Sequence, residues 1–212
     1  MEIVFNLDMR GCMSGLETDI IGGFNSFIKK QRKEPGENIV STVLFDDTCE
    51  VLHDRVPMDK VQAMTEDTYF VRGCTALLDA VGGAIHHIGN IHKYARDEDR
   101  PEKTIFIITT DGMENASHRY NLQQVKKMVK RQTDKNGWEF LFLGANIDAI
   151  EAAGNIGIRA SRAVTYRNDE AGTALNYKVM EAAIHHVRCC AAPLSDDWKA
   201  EIDEDMQRRG RK

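Results

Sequence analysis

Short unbroken apolar runs alternate along the chain with longer stretches in which apolar residues recur at helical spacing. Residues 2–7 contain Ile3-Val4-Phe5 without interruption, which predicts a strand covered on both faces. Ile20, Ile21, Phe24, Phe27 and Ile28 then predict a helix over residues 16–33, with Ser14 and Glu17 offering a capping box and Pro35-Gly36 stopping it. Residues 39–45 and 49–56 read as two strands separated only by a turn at Asp46-Asp47. A connection that short forbids a crossover helix, so the third strand is expected to run antiparallel at an edge. A helix built on Leu77, Leu78, Val81, Ile85 and Ile88 leads to a strand at 103–110, whose Ile105-Phe106-Ile107-Ile108 is the clearest buried run. Asn121 caps a helix carrying Leu122, Val125, Met128 and Val129. A strand at 138–144, a short helix at 147–156, a strand at 163–166 and a helix at 171–188 complete the pattern. This order predicts an α/β fold, a mostly parallel six-stranded sheet with helices on both faces. One domain is expected over residues 1–192, followed by a charged tail, 193–212, expected to be a frayed helix or disordered.

Composition narrows the picture. The chain has 212 residues, 42% hydrophobic and 29% charged, so a core burying roughly 70% of the unfolded surface needs no disulfide or zinc staple. Five cysteines, an odd number without a C-x-x-C, and no basic-then-apolar leader point to a reducing cytoplasm. No apolar run approaches the roughly 20 residues of a membrane span. A net charge of -5 argues against nucleic acid, leaving proteins or small ligands as the expected partners.

In a parallel sheet, ligands sit outside the carboxyl ends of the strands, so the chemistry is sought in the residues that follow them. The first strand ends in Asp8-Met9-Arg10-Gly11-Cys12-Met13-Ser14-Gly15, the loop before the second long helix holds Arg72-Gly73-Cys74-Thr75, and the fourth strand ends in Thr109-Thr110-Asp111-Gly112. Two carboxylates and a hydroxyl converging there would suit a hard divalent cation such as Mg²⁺ or Mn²⁺. Neither GxGxxG nor GxxxxGK[ST] occurs, which weakens dinucleotide and P-loop readings.

These three segments, with Ile21-Gly22-Gly23-Phe24-Asn25 and Phe140-Leu141-Phe142-Leu143-Gly144-Ala145-Asn146, resemble the von Willebrand factor type A domain in its bacterial cytoplasmic form. The resemblance covers about residues 2–187. It implies a doubly wound, Rossmann-like sheet in the order 3-2-1-4-5-6. It also implies a metal-ion-dependent adhesion site, in which the Asp and two Ser of a D-x-S-x-S loop join a Thr and a second Asp. Asp8, Thr75 and Asp111 match that motif, whereas Arg10 and Cys12 stand where its serines belong.

A guanidinium always carries its charge, and against a divalent ion at 4 Å the repulsion is about 8 kcal/mol at an effective dielectric of 20. That equals a micromolar binding free energy, so Arg10 pointing inward would pair with Asp8 or Asp111 and displace the ion. With Arg10 turned outward, Asp8, Thr75 and Asp111 could hold Mg²⁺ or Mn²⁺ weakly. The expected function is a non-enzymatic protein-binding module that engages a partner's acidic side chain through Asp8, Arg10, Cys12, Thr75 and Asp111. Two alternatives stay open: an enzyme or redox protein using Cys12, whose pKa Arg10 and the helix N-terminus would lower, and a structural subunit with a decayed site. Cys74 approaching Cys12 across the loops would offer a redox pair or a soft-metal site. The adjacent pairs His86-His87 and His185-His186 point about 100° apart on their helices and read as surface residues. Lys126-Lys127-Lys130-Arg131 reads as a solvated face with the option of contacting phosphates. Met9 either closes its loop over the core or lines a ligand surface.

Overall fold

The computed structural model of the chain describes residues 1–9, 15–71 and 73–210. Six strands form one sheet in the order β3-β2-β1-β4-β5-β6: β1 (Glu2–Asp8), β2 (Ile39–Phe45), β3 (Cys49–Pro57), β4 (Thr104–Thr110), β5 (Glu139–Ala145) and β6 (Ala163–Tyr166). β1 lies at the centre, parallel to β2 on one side and to β4 on the other, and all seven of its residues are buried. That double cover is what its unbroken apolar run requires. Only β3 runs antiparallel, and its pairing with β2 shifts register near Thr42, where Arg55 takes a φ of 50°. Such a bulge adds local twist to an edge strand.

The helices are α1 (Glu17–Gln31), α2 (Leu77–Tyr94), α3 (Leu122–Asn136), α4 (Ala149–Asn155), α5 (Glu170–Cys189) and α6 (Ala200–Arg209). Strand alternation divides the core between them. Ile3, Phe5 and Leu7 point to a layer shared with Phe24 and Phe27 of α1 and with Met180 and Ile184 of α5. Val4 points the other way, against Val81 and Ile85 of α2, Val125 of α3 and Ala153 of α4. Gly23 is required where α1 meets α5, since a Cβ there would lie 2.2 Å from the Tyr177 ring.

Element boundaries fall within a few residues of those expected. Asn121 caps α3 in a full capping box with Gln124. α1 is different: its first flanking residue is Leu16, and the Glu17 carboxylate accepts from the Gly15 amide at 2.6 Å, while Ser14 lies outside the described residues. The larger correction concerns the tail. Residues 196–209 are folded, as a short 3-10 turn (Asp196–Lys199) running into α6. Leu194 and Ile202 are buried in the α1/α5 layer, and the Trp198 indole donates to the Ser161 carbonyl at 2.8 Å. Arg209 Nη1 donates to both oxygens of the Asp169 carboxylate, at 2.8 and 3.0 Å. Ile202 and Asp205 are the buried residues of α6, and Asp205 is paired with Arg208 and Arg209, so the segment packs where charge density alone suggested fraying.

Candidate functional site

The carboxyl ends of β1, β2 and β4 are joined by side chains and backbone into one surface. Asp8, the last residue of β1, is buried, and the Thr110 hydroxyl at the end of β4 donates to its Oδ2 at 2.5 Å. The same hydroxyl accepts from the Gly112 amide at 3.2 Å, which fixes the turn carrying Asp111. From the opposite side the Tyr69 hydroxyl donates to the Asp8 carbonyl at 2.7 Å. Burial drives the Tyr69 pKa well above that of a free phenol, and the negative fields of Asp8 and Asp111 add to it, so the ring stays a neutral donor. Burial likewise raises the Tyr166 pKa, with contributions from Asp111 and Asp8. Both carboxylates therefore act on the same two phenols from the same end of the sheet.

Thr75 closes the arrangement. Its amide donates to the Asn115 side chain at 2.9 Å, and its carbonyl accepts from the Asn115 and Ala116 amides at 3.1 and 3.3 Å. The next amide, that of Ala76, donates to the Asp46 carbonyl beyond β2 at 2.6 Å. Thr75 is fully buried, and its hydroxyl makes no hydrogen bond among the described residues. Asp111 follows β4 directly and is 8% exposed.

The loop after β4 is in turn latched to the start of α2. Ala76 has no side chain able to cap that helix, and its first amides find partners about forty residues away. The Leu78 amide donates to Glu114 Oε2 at 2.8 Å and the Asp79 amide to the Ser117 hydroxyl at 3.0 Å. Reciprocally, the Asp79 carboxylate accepts from three successive amides, those of His118, Arg119 and Tyr120, at 2.8 to 2.9 Å. Partial burial acts to raise the Asp79 pKa, but these three amides together outweigh it and hold the carboxyl below its ordinary value. Sequence reading missed Glu114, Asn115 and Tyr69. Their partners lie about 36 to 61 positions away, beyond any local motif.

Of the five expected site residues, the structure places Asp8, Thr75 and Asp111 on these linked segments, while Arg10 and Cys12 lie outside the described residues. A Cys12–Cys74 pairing falls there too; Cys74 itself is exposed. Met9 is 1% exposed and belongs to the core. His86 and His87 are exposed, bonded to Tyr120 and Asp54. Two buried carboxylates and a buried, unbonded hydroxyl are the oxygen donors a hard cation takes, so the residues present fit one. Among the described residues no three His, Cys, Asp or Glu side chains gather at one point, so Asp8, Thr75 and Asp111 would leave several positions to solvent or a ligand. No helix among the described residues is long and apolar enough to cross a membrane.

No family model and no curated protein matches the sequence. Solved structures do match. Proximal thread matrix protein 1 from the mussel byssus aligns over 85% of this chain and 46% of its own, at 14% identity and a TM-score of 0.60. A von Willebrand factor type A protein from Catenulispora acidiphila aligns over 86% and 42%, at 13% identity and 0.58. The conserved protein BatB from Bacteroides thetaiotaomicron aligns over 90% of this chain and 100% of its own, at 13% identity and 0.54. The chain thus spans less than half of the first two. A further structure of the mussel protein, 15% identical with a TM-score of 0.55, has a zinc-occupied adhesion-site motif. At such identities the likeness is one of fold, and the chain has the fold of von Willebrand factor type A domains, as its motifs led one to expect.

Proposed function

We propose that the chain is a non-enzymatic binding module that uses the loop surface around Asp8, Arg10, Cys12, Thr75 and Asp111 to engage an acidic side chain on a protein partner. The observation that carries this reading is the Thr75 hydroxyl, wholly buried in the segment tied to the loop after β4 and to the end of β2, yet without a hydrogen bond among the described residues. Leaving such a group unpaired costs about 1–3 kcal/mol, a cost that a fold tolerates where a ligand completes the site. Asp8, Thr75 and Asp111 would hold a divalent cation, which when bound supplies an electrophilic position for a carboxylate. Arg10 alters that balance, because its fixed charge opposes the cation and can itself pair with a carboxylate in the planar, two-pronged manner of a guanidinium. The fold shared with the zinc-loaded mussel protein supports the metal side of the reading, and Arg10 and Cys12 in place of serines support its weakening.

The test is a melting series with Mn²⁺ on the native chain and on the Arg10→Ser, Cys12→Ser double variant. Binding at ten times the dissociation constant stabilises by about 1.4 kcal/mol, or about 3–6 °C for a chain of this size. A shift of that order is expected in the double variant and little in the native chain. An equal shift in both would overturn the role given to Arg10, and no shift in either would overturn the site.

A further inference from the structure

The basic run on α3, read from sequence as a solvated face, borders a wide groove at the opposite end of the molecule from the site described above. α3 carries five Lys or Arg and one Asp, a net +4 on a chain whose total is -5, so the remainder carries -9. Val125, Val129 and Gln132 are its buried residues. Lys126, Lys127, Arg131 and Lys135 are exposed and form no ion pair among the described residues, whereas Lys130 is matched by Asp134 at 3.0 Å. Between α2 and α3 lies a groove of about 1000 Å³, with Lys93 and Arg100 on one side, Arg131 and Lys135 on the other. Trp138, at the start of β5, is among the groove's lining residues, stacked on Phe106 at 5.2 Å and edge-on to His92 at 5.3 Å.

From these features we infer that the α2/α3 groove is a second docking surface, for a short acidic segment of a protein partner. Charge complementarity supplies the attraction: Arg100 pairs with Asp97 at 3.4 Å, which leaves Lys93, Arg131 and Lys135 lining the groove against Glu102. Asp97, Glu98 and Asp99 form the short turn after α2, of which Asp97 lines the groove, and the chain outside α3 carries a net -9. A continuous polyphosphate running out of the groove would meet those charges, whereas a segment of a few carboxylates would not, which favours peptide over nucleic acid. The 18 residues of α2 span about 27 Å, and the groove lines its last turns while Thr75 precedes its first. A partner could therefore occupy both ends at once.

Fluorescence anisotropy with a labelled octaglutamate peptide tests the inference on the full chain. An Arg131→Glu, Lys135→Glu double variant is expected to weaken binding by about tenfold or more, and the milder Arg131→Gln, Lys135→Gln variant by less, each checked for native circular dichroism. A Lys126→Glu, Lys127→Glu variant carries the same change in charge outside the groove and should weaken binding by no more than about threefold. Equal losses from both charge reversals would reduce the effect to overall charge and overturn the inference. Loss of peptide binding on Arg10→Ser would move the site to the loop surface and likewise overturn it, whereas retention would leave it standing whatever the Mn²⁺ series shows. Tighter binding of a 12-nucleotide oligothymidylate than of the peptide would overturn the partner class.

Discussion

Replacing Asp79 with alanine removes the acceptor for three consecutive backbone amides and leaves α2 and the loop after β4 joined mainly through Glu114, Ser117 and Asn115. A charged hydrogen bond contributes about 1.5–3 kcal/mol at most, but His118 and Arg119 are exposed, so water can take over their amides when the carboxylate is gone. A helix cap of comparable geometry contributes about 1–2 kcal/mol, and the Asp79 latch, with three bonds partly screened by solvent, is expected to contribute about 2 kcal/mol. For a chain of this size that lowers the melting temperature at neutral pH by about 4–8 °C. The pH dependence follows from the depressed carboxyl. Because the folded value lies below the unfolded one, the contribution is fully present above about pH 3.9 and is lost as pH falls through the folded value. Melting curves of the native and Asp79→Ala proteins should therefore converge as the solution is acidified. Hydrogen exchange should show faster exchange at residues 118–120 in the variant at neutral pH. A variant that melts with the native chain at pH 7, or a gap that stays constant into acid, would refute the latch.

Two further outcomes follow. Ile202→Ala, at a position 1% exposed on α6, should cost about 2–4 kcal/mol and open residues 196–209 to proteolysis; an unchanged melting temperature would mean that the tail is not packed. Thr75→Val should leave stability unchanged or raise it by about 1 kcal/mol, because the hydroxyl has no bond to lose, while abolishing any Mn²⁺-induced shift in the Arg10→Ser, Cys12→Ser background. A clear loss of stability, or a retained Mn²⁺ shift, would contradict the role given to that hydroxyl.

The sheet was readable because its signals are local. Ile3-Val4-Phe5 and Ile105-Phe106-Ile107-Ile108 can be satisfied only by cover on both faces, and the three-residue turn after Phe45 dictates an antiparallel edge. The candidate site is legible only in part. Asp8 and Asp111 stand out by ending or following strands and Thr75 by preceding a helix, but what rigidifies these segments does not. Glu114 and Asp79 are ordinary surface residues by type, and only the fold brings each to amides three dozen or more positions away. The tail failed for another reason. Its charges dominate any average, yet Trp198, Ile202 and Met206 recur every four residues and mark an inward stripe, which weighting charge over spacing obscured.

The packed tail also decides how this sheet could meet another. Lys199 Nζ donates to the carbonyls of Ala160 and Ala163 at 3.1 and 2.6 Å, and residues of α6 line the flank of β6. One border of the sheet is thereby shielded, and the other is β3, most of whose residues are exposed or half-buried, Val51 by 60%. Any strand addition between identical molecules would then be confined to β3 against β3, a twofold arrangement that leaves no second border for an unlimited fibre.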